Sequence, residues 1–341
     1  MLKNEITLIA PDDWHCHLRD DAFLTRTVSD TAAQFLRALV MPNLTPPITS
    51  VEAAVAYRDR ILRHAPNHFT PLMTLYLTES LSPQLIIDSK KTGVITACKY
   101  YPAGATTNAE AGVRDIKYIY PVLEQMQSTN MPLCIHGETI NADIFDREKL
   151  FLNTLKNVIA DFPTLRIILE HISTKAAVEF IQNTPENIAA TITPHHLQYN
   201  RNDLFNHGLR PHYFCMPILK RADDQKALIA AAISGNPKFF LGTDSAPHAR
   251  KKKESACGCA GIYSAHAAMS FYAEIFEEHH ALDRLENFSS VFGATFYQYP
   301  INRHHITLVK KPWKIADNLL FGDTLLVPMR AGETIPWQIQ R

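Results

Sequence analysis

Pro11-Asp12-Asp13-Trp14-His15-Cys16-His17-Leu18-Arg19-Asp20 follows an apolar run, 6–10, that reads as a strand. On an extended strand, residues i and i+2 project from the same face. His15 and His17 therefore point one way and Cys16 the other. Two imidazoles on one face of a strand end make two arms of a metal site. Arg19 continues the parity and places a cation just beyond them. Two polar histidines in a loop also read as His-x-His, so the reading turns on what the later strand ends supply.

Working outward, strands and helices alternate. After the strand ending at His15, further strands are expected at 35–41, 70–77, 94–101, 132–135, 165–169, 188–192 and 238–241. Helix signals fall between them. Thr49 with Glu52 reads as a capping box, Ser82-Pro83 as an N-cap with a first-turn proline, and Ser173 as a further N-cap. Gly93 and Gly235 close helices, and a helix is expected at 146–160. Eight β-α units demand a parallel sheet. The chain of 341 residues exceeds the ~250 typical of a closed (β/α)8 TIM barrel. The expected fold class is thus α/β, with the barrel over about 5–280 and a C-terminal extension over 281–341 in a single domain. Within the extension, 285–297 is helix-like and 306–310 strand-like.

Composition narrows the function. Hydrophobic content of 46% and charged content of 20% suit a soluble protein with a sizeable core. Formal charge is zero, which gives no electrostatic footprint for nucleic acid. No run of apolar residues suggests a membrane span or a signal peptide. Six cysteines scattered in a large chain argue for reduced thiols and a cytoplasmic setting.

In such a barrel, catalytic groups sit at the C-terminal strand ends. The unusual polar residues fall there: His15, His17, Asn43, Lys99, His136, His171, Asp244 and His248. Four histidines and an aspartate can ligate one or two metals. Lys99 lies inside a strand, where burial depresses an amine's pKa. A neutral amine can add carbon dioxide to give a carbamate, an anionic ligand able to bridge two cations. The competing reading is that Lys99 snorkels to solvent from the barrel rim.

At this point the chain resembles the dihydroorotases of the compact bacterial type, in the amidohydrolase superfamily. The matching segments are the opening stretch 11–20, Met41-Pro42-Asn43, Lys99-Tyr100-Tyr101-Pro102-Ala103-Gly104-Ala105-Thr106-Thr107-Asn108 and His136-Gly137-Glu138. Further along come Glu170-His171-Ile172-Ser173-Thr174-Lys175, Pro217-Ile218-Leu219-Lys220-Arg221, Gly242-Thr243-Asp244-Ser245-Ala246-Pro247-His248 and Cys257-Gly258-Cys259-Ala260-Gly261. The resemblance implies reversible closure of N-carbamoyl-L-aspartate to dihydroorotate in pyrimidine biosynthesis, with two zinc ions per chain. It assigns His15, His17 and Asp244 to one metal, His136 and His171 to the other, and carboxylated Lys99 to both. Asp244 would move the proton. Arg19, Asn43 and His248 would bind the substrate carboxylate, with His136, Met216 and Ala260 completing the contacts. Thr106 and Thr107 would tip a lid loop. A homodimer is also expected. Departures are mild: Cys16, Tyr100 and His195 stand where the family pattern has other residues.

Other residues read as structural. Cys257-x-Cys259 lacks a second pair to complete a zinc knuckle. His195 and His196 sit at a strand end but are surplus to two filled metal shells. His279, His280, His304 and His305 read as surface, Trp14 as packing beside the site, and the apolar face 267–276 as barrel packing or a dimer contact. Two rival functions remain: another cyclic amidohydrolase such as a hydantoinase, which needs no carboxylate grip, or an inactive structural subunit, which predicts lost ligands.

Overall fold

The computed structural model describes residues 4–340. The apolar run near the N-terminus does not lead into the barrel. Glu5–Ile9 (β1) alternates exposed and buried side chains and pairs antiparallel with His305–Lys314 (β10), Glu5 opposite Val309. Thr334–Ile339 (β13) completes this three-stranded sheet. The strand expected to run from 6 to His15 is therefore two, separated at Ala10 and Pro11. Alternation marks a sheet with one wet face, whereas every residue of Asp12–Cys16 (β2) is buried, as in a covered parallel sheet.

β2 begins the eight-stranded parallel ring. It is followed by Arg37–Val40 (β3), Thr70–Tyr76 (β4), Ile95–Tyr100 (β5), Leu133–Ile135 (β6), Ile167–Leu169 (β7), Ile188–Ile192 (β8) and Phe239–Leu241 (β9), neighbours in chain order. The backbone just past β9 closes the ring onto β2. Asp244 N donates to His15 O at 2.8 Å, and His17 N to Ser245 O at 3.0 Å. This is the expected (β/α)8 architecture. Leu319–Phe321 (β11) and Thr324–Leu326 (β12) form a small hairpin outside it.

Two helix starts differ by one residue from expectation. The helix Val51–Leu62 is capped by Ser50, whose hydroxyl accepts from Ala53 N, so Thr49 lies outside it. The helix Lys175–Gln182 is capped by Thr174, whose hydroxyl accepts from Ala177 N, while the hydroxyls and backbone N–H groups of both Ser173 and Thr174 donate to buried Glu148. Ser82 and Gly93 cap the helix Pro83–Thr92 as expected, Gly93 at φ +67°. The helix Ala268–Glu278 buries most of its residues and packs on β13, so the apolar face 267–276 is internal packing.

The barrel interior takes one side chain from each strand: Trp14, Leu39, Leu72, Ala97, Cys134, Ile168, Ala189 and Phe240. The C-terminal extension fills the space beneath. Tyr297 stacks on Trp14 with ring centroids 4.4 Å apart and planes 7° apart. Trp14 is thus barrel core. The chain reaches it through Gly293, where a Cβ would collide with the indole.

Candidate active site

Strand parity carries polar residues to the mouth. From each interior residue, two steps along the strand face the same way, one layer nearer the C-terminal end. Lys99 lies two past Ala97, His136 two past Cys134, Glu170 two past Ile168, and Asp244 four past Phe240. Asn43 lies four past Leu39. On β2 a register shift between Asp13 and Cys16 interrupts the pleat. Trp14 can then face the core while His15 and His17 enter the mouth, the re-aiming an irregular strand allows. Arg19, His171 and Asp244 hold left-handed backbone, at φ 60°, 42° and 45°. Such conformations in non-glycine residues cost energy and gather where a side chain must be aimed.

The expected ligands converge. His17 Nε2 lies 3.0 Å and His15 Nε2 3.3 Å from the same oxygen of Asp244. The ligand atoms of these three residues all lie within 4.8 Å of one another. The His171 ring packs against both His15 and His136, with centroids 5.1 and 4.8 Å away. Lys99 is fully buried, its Nζ 5.2 Å from the Tyr101 ring centroid and without a hydrogen-bond partner. It does not snorkel.

Burial and neighbours set the protonation states. Burial pushes the His17 imidazole down to about 4 and the His171 imidazole well below its usual range, so both are neutral. Burial likewise lowers the Lys99 amine, against the attraction of Glu170 and Asp244. Burial alone would raise Asp244, but hydrogen bonds from His15 and His17, with the charge of His15, hold it well below the usual carboxylate range. Neutral imidazoles and an ionised carboxylate are what a divalent cation needs. The buried, unpartnered His171 Nδ1 and Lys99 Nζ are the atoms a metal centre would satisfy. The residues present fit a metal cofactor.

The acids behind the histidines were not singled out in the sequence. Glu170 Oε2 accepts from His15 Nδ1 at 3.0 Å and from the Thr191 hydroxyl at 2.5 Å. Glu138 lies 2.7 Å from His136 Nε2, leaving Nδ1 as that ring's free lone pair. Asp13 accepts from Thr243 N at 2.8 Å and from its hydroxyl, bracing the ring closure beside Asp244. Such outer partners fix a ligand's tautomer and direction. The signal available was adjacency, since Glu138 and Glu170 lie inside the matched motifs.

One cavity, closed down to about 20 Å³ or little more than a single water, is lined by His15, His17, Arg19, Asn43, Thr106, Thr107, His136, His171, Met216, Asp244 and Ala260 among others. Arg19 Nε donates to Pro247 O at 3.0 Å, and its Nη2 lies 3.0 Å from His248 Nε2, which is 2.9 Å from Ala260 O. Asn43 accepts from His17 Nδ1 at 2.8 Å and donates to Thr107 O at 3.0 Å. The Thr107 hydroxyl reaches Ala260 O at 3.4 Å. The basic run Arg250 to Lys253 reads from the sequence as a solvated loop or a local anion attractor, but Lys253 is buried and donates to Phe214 O at 2.8 Å and Gly261 O at 2.6 Å. It ties together the two segments carrying Met216 and Ala260.

Not every tempting residue joins the site. His279, His280, His304 and His305 are exposed and away from this cavity. Cys257 is exposed and Cys259 half-buried, both as free thiols. No helix among the described residues is long and apolar enough to cross a membrane.

Comparison with known proteins agrees with this geometry. A model of the amidohydrolase family matches residues 6–334. A dihydroorotase of Coxiella burnetii is 59% identical over 341 residues, covering 98% of each chain. The crystal structure of dihydroorotase from Saccharomyces cerevisiae, in complex with 5-fluoroorotic acid, superposes with a TM-score of 0.92 at 36% identity, covering 99% of each chain. That of dihydroorotase from Campylobacter jejuni gives 0.92 at 36% identity, over 100% of this chain and 99% of the other. The chain belongs to the amidohydrolase family, and within it to the dihydroorotases.

Proposed function

We propose that this chain catalyses the reversible cyclisation of N-carbamoyl-L-aspartate to dihydroorotate and water, a step of pyrimidine biosynthesis, using two zinc ions. The observation that carries this reading is the cavity in which the His15, His17 and Asp244 cluster shares its walls with Arg19, whose guanidinium is met from outside that lining by His248. One end suits a metal, the other a carboxylate.

His15, His17 and Asp244 would hold one ion and His136 and His171 the other, with Lys99, carboxylated on Nζ, serving both. When bound, the ions supply Lewis acidity and lower the pKa of water toward ~7. The protein's own groups do the rest. Asp244, kept ionised, takes a proton from the attacking water in hydrolysis and returns it to the leaving ring nitrogen. In cyclisation it starts protonated and the order reverses. Arg19 offers a donor fork suited to the substrate carboxylate, with His248 beside it. Asn43 acts here through His17 and Thr107, orienting the first and anchoring the second. The backbones of Met216 and Ala260 would flank the ring. Because the cavity is nearly closed, the segment carrying Thr106 and Thr107 would open to admit substrate and close to exclude water.

The test is an assay of the purified protein with dihydroorotate, N-carbamoyl-L-aspartate and hydantoin, alongside metal analysis. Turnover of the first two with about two zinc ions per chain is the expected result. A preference for hydantoin, which has no carboxylate for Arg19, would overturn the assignment. A cytosolic homodimer completes the proposal, and a solution mass of one chain would remove that part.

A further inference from the structure

A second set of metal-ligating side chains lies past the C-terminal end of β8, on the same side of the barrel as the catalytic mouth. The helix Pro194–Gln198 carries His195 and His196, and the following excursion brings Cys215 back to them. All three are buried, and their ligand atoms lie within 4.8 Å of one another. His196 Nε2 is 4.0 Å from Cys215 Sγ. Pro217 O stands between, 2.9 Å from His196 Nε2 and 3.3 Å from Cys215 Sγ. His195 has no hydrogen bond at either ring nitrogen, although its residue is fully buried. A buried polar group without a partner is costly and rare, and calls for a missing ligand.

We propose that His195, His196, Cys215 and the carbonyl of Pro217 form a third metal site, distinct from the catalytic pair, that takes a borderline dication of the zinc class. Two imidazoles and a thiolate are a donor set that zinc favours, and the carbonyl oxygen fills the fourth position. His196 is already oriented for this, because Thr193 Oγ1 lies 2.8 Å from its Nδ1. On binding, the proton on His196 Nε2 moves to Nδ1, which donates to Thr193 Oγ1. The Cys215 thiol loses its proton to solvent, so one proton leaves per ion bound. Pro217 O exchanges two protein donors for the cation and is not orphaned. Burial holds the Cys215 thiol up at about 12, so metal must displace a firmly held proton, and occupancy will fall as pH falls. An ion here would also fix the segment 215–217, on which Met216 rides into the catalytic cavity. The site does not depend on the reaction proposed above.

The probe is cobalt(II). Full-length protein stripped of metal by chelation is titrated with it, and the near-ultraviolet thiolate-to-cobalt charge-transfer band is followed with the number of ions bound. The catalytic ligands include no thiol, so the band does not come from the catalytic site. Wild type should show the band together with one equivalent of cobalt beyond the catalytic complement. Cys215→Ser should lose the band, and His195→Gln should weaken cobalt binding at this site by roughly tenfold or more. The double substitution Cys257→Ser, Cys259→Ser should keep it. No band in wild type at saturating cobalt would overturn the proposal, without need of any variant. A band that survives Cys215→Ser, vanishes with the exposed-loop pair, or is indifferent to His195→Gln would overturn it equally.

Discussion

His15 Nδ1 lies 3.0 Å from a carboxylate oxygen of Glu170, with both side chains buried. That contact decides which face of the imidazole does chemistry. With Nδ1 committed to Glu170, the Nε2 lone pair is left for the Asp244 side of the cavity. Glu170 is itself held by the Thr191 hydroxyl. Glu170→Gln removes the charge but keeps the shape. Metal affinity or turnover should fall about 10–100-fold, read by metal titration and steady-state kinetics. Unchanged values would show that His15 is oriented by packing alone.

Lys99 is the residue whose chemistry differs most from its ordinary state. Its buried amine has no hydrogen-bond partner, and desolvation lowers its affinity for a proton. Lys99→Ala should abolish activity and reduce bound metal. Lys99→Arg should do the same, since a guanidinium stays cationic and cannot be carboxylated. Intact-mass measurement of the metal-loaded enzyme should find one extra carboxyl group. An unmodified Lys99 in an active two-metal enzyme would reject this role.

Arg19 is held from two sides, by Pro247 O and by His248. Arg19→Ala should cost about 2–5 kcal/mol in kcat/KM for dihydroorotate. Arg19→Lys keeps the charge, loses the fork and should remain impaired. Wild-type kinetics in either variant would rule out the carboxylate anchor.

Thr106 and Thr107 meet the far wall of the cavity through Thr107 and Ala260. Replacing both with Ala should lower turnover and leave metal content intact. A double variant with full turnover would dismiss the lid.

Lys253 joins Phe214 O to Gly261 O from a buried position. In Lys253→Met, Gly261 O loses that donor, at a cost of about 1–3 kcal/mol in stability, and KM should rise more than kcat falls. The pH dependence has a definite sign. Burial lowers the folded-state pKa from 10.5 to about 8, so between those values the unfolded chain binds the extra proton. Wild-type stability relative to Lys253→Met should therefore rise as pH goes from 8 toward 10.5, and level off on either side. Denaturant melts of both proteins across that range would show it. A difference independent of pH would mean that Lys253 titrates as in the unfolded chain.

Much of this site was legible because a parallel barrel converts sequence parity into direction. Asp244 and Lys99 fall in step with the interior residues Phe240 and Ala97, so their aim follows from counting along a strand. His15 does not obey the count. Its direction depends on an irregular register at Asp13 to Cys16, which no periodicity reveals. The strand β1 was misplaced for a related reason: five residues of mixed polarity ahead of Pro11 look continuous with β2 until their partners, some 300 positions later, are known. Helix caps slipped by one where two hydroxyls compete, as at Thr49 and Ser50. Ser173 and Thr174 are both bound by buried Glu148, a tertiary contact, and Thr174 is the one that caps the helix. The roles of Glu138, Glu170 and Lys253 are likewise contacts across the fold, invisible until the strands are assembled.

The pairing of β1 with β10 reverses the order of manufacture. Leu8 leaves the ribosome some 300 residues ahead of its partner Ile306. Until then β1 offers an open edge to the nascent chain and its surroundings, the kind of exposure that invites wrong partners. A strand made before the barrel is matched only by one made after it. A chain stalled before residue 305 therefore lacks the strand that covers β1.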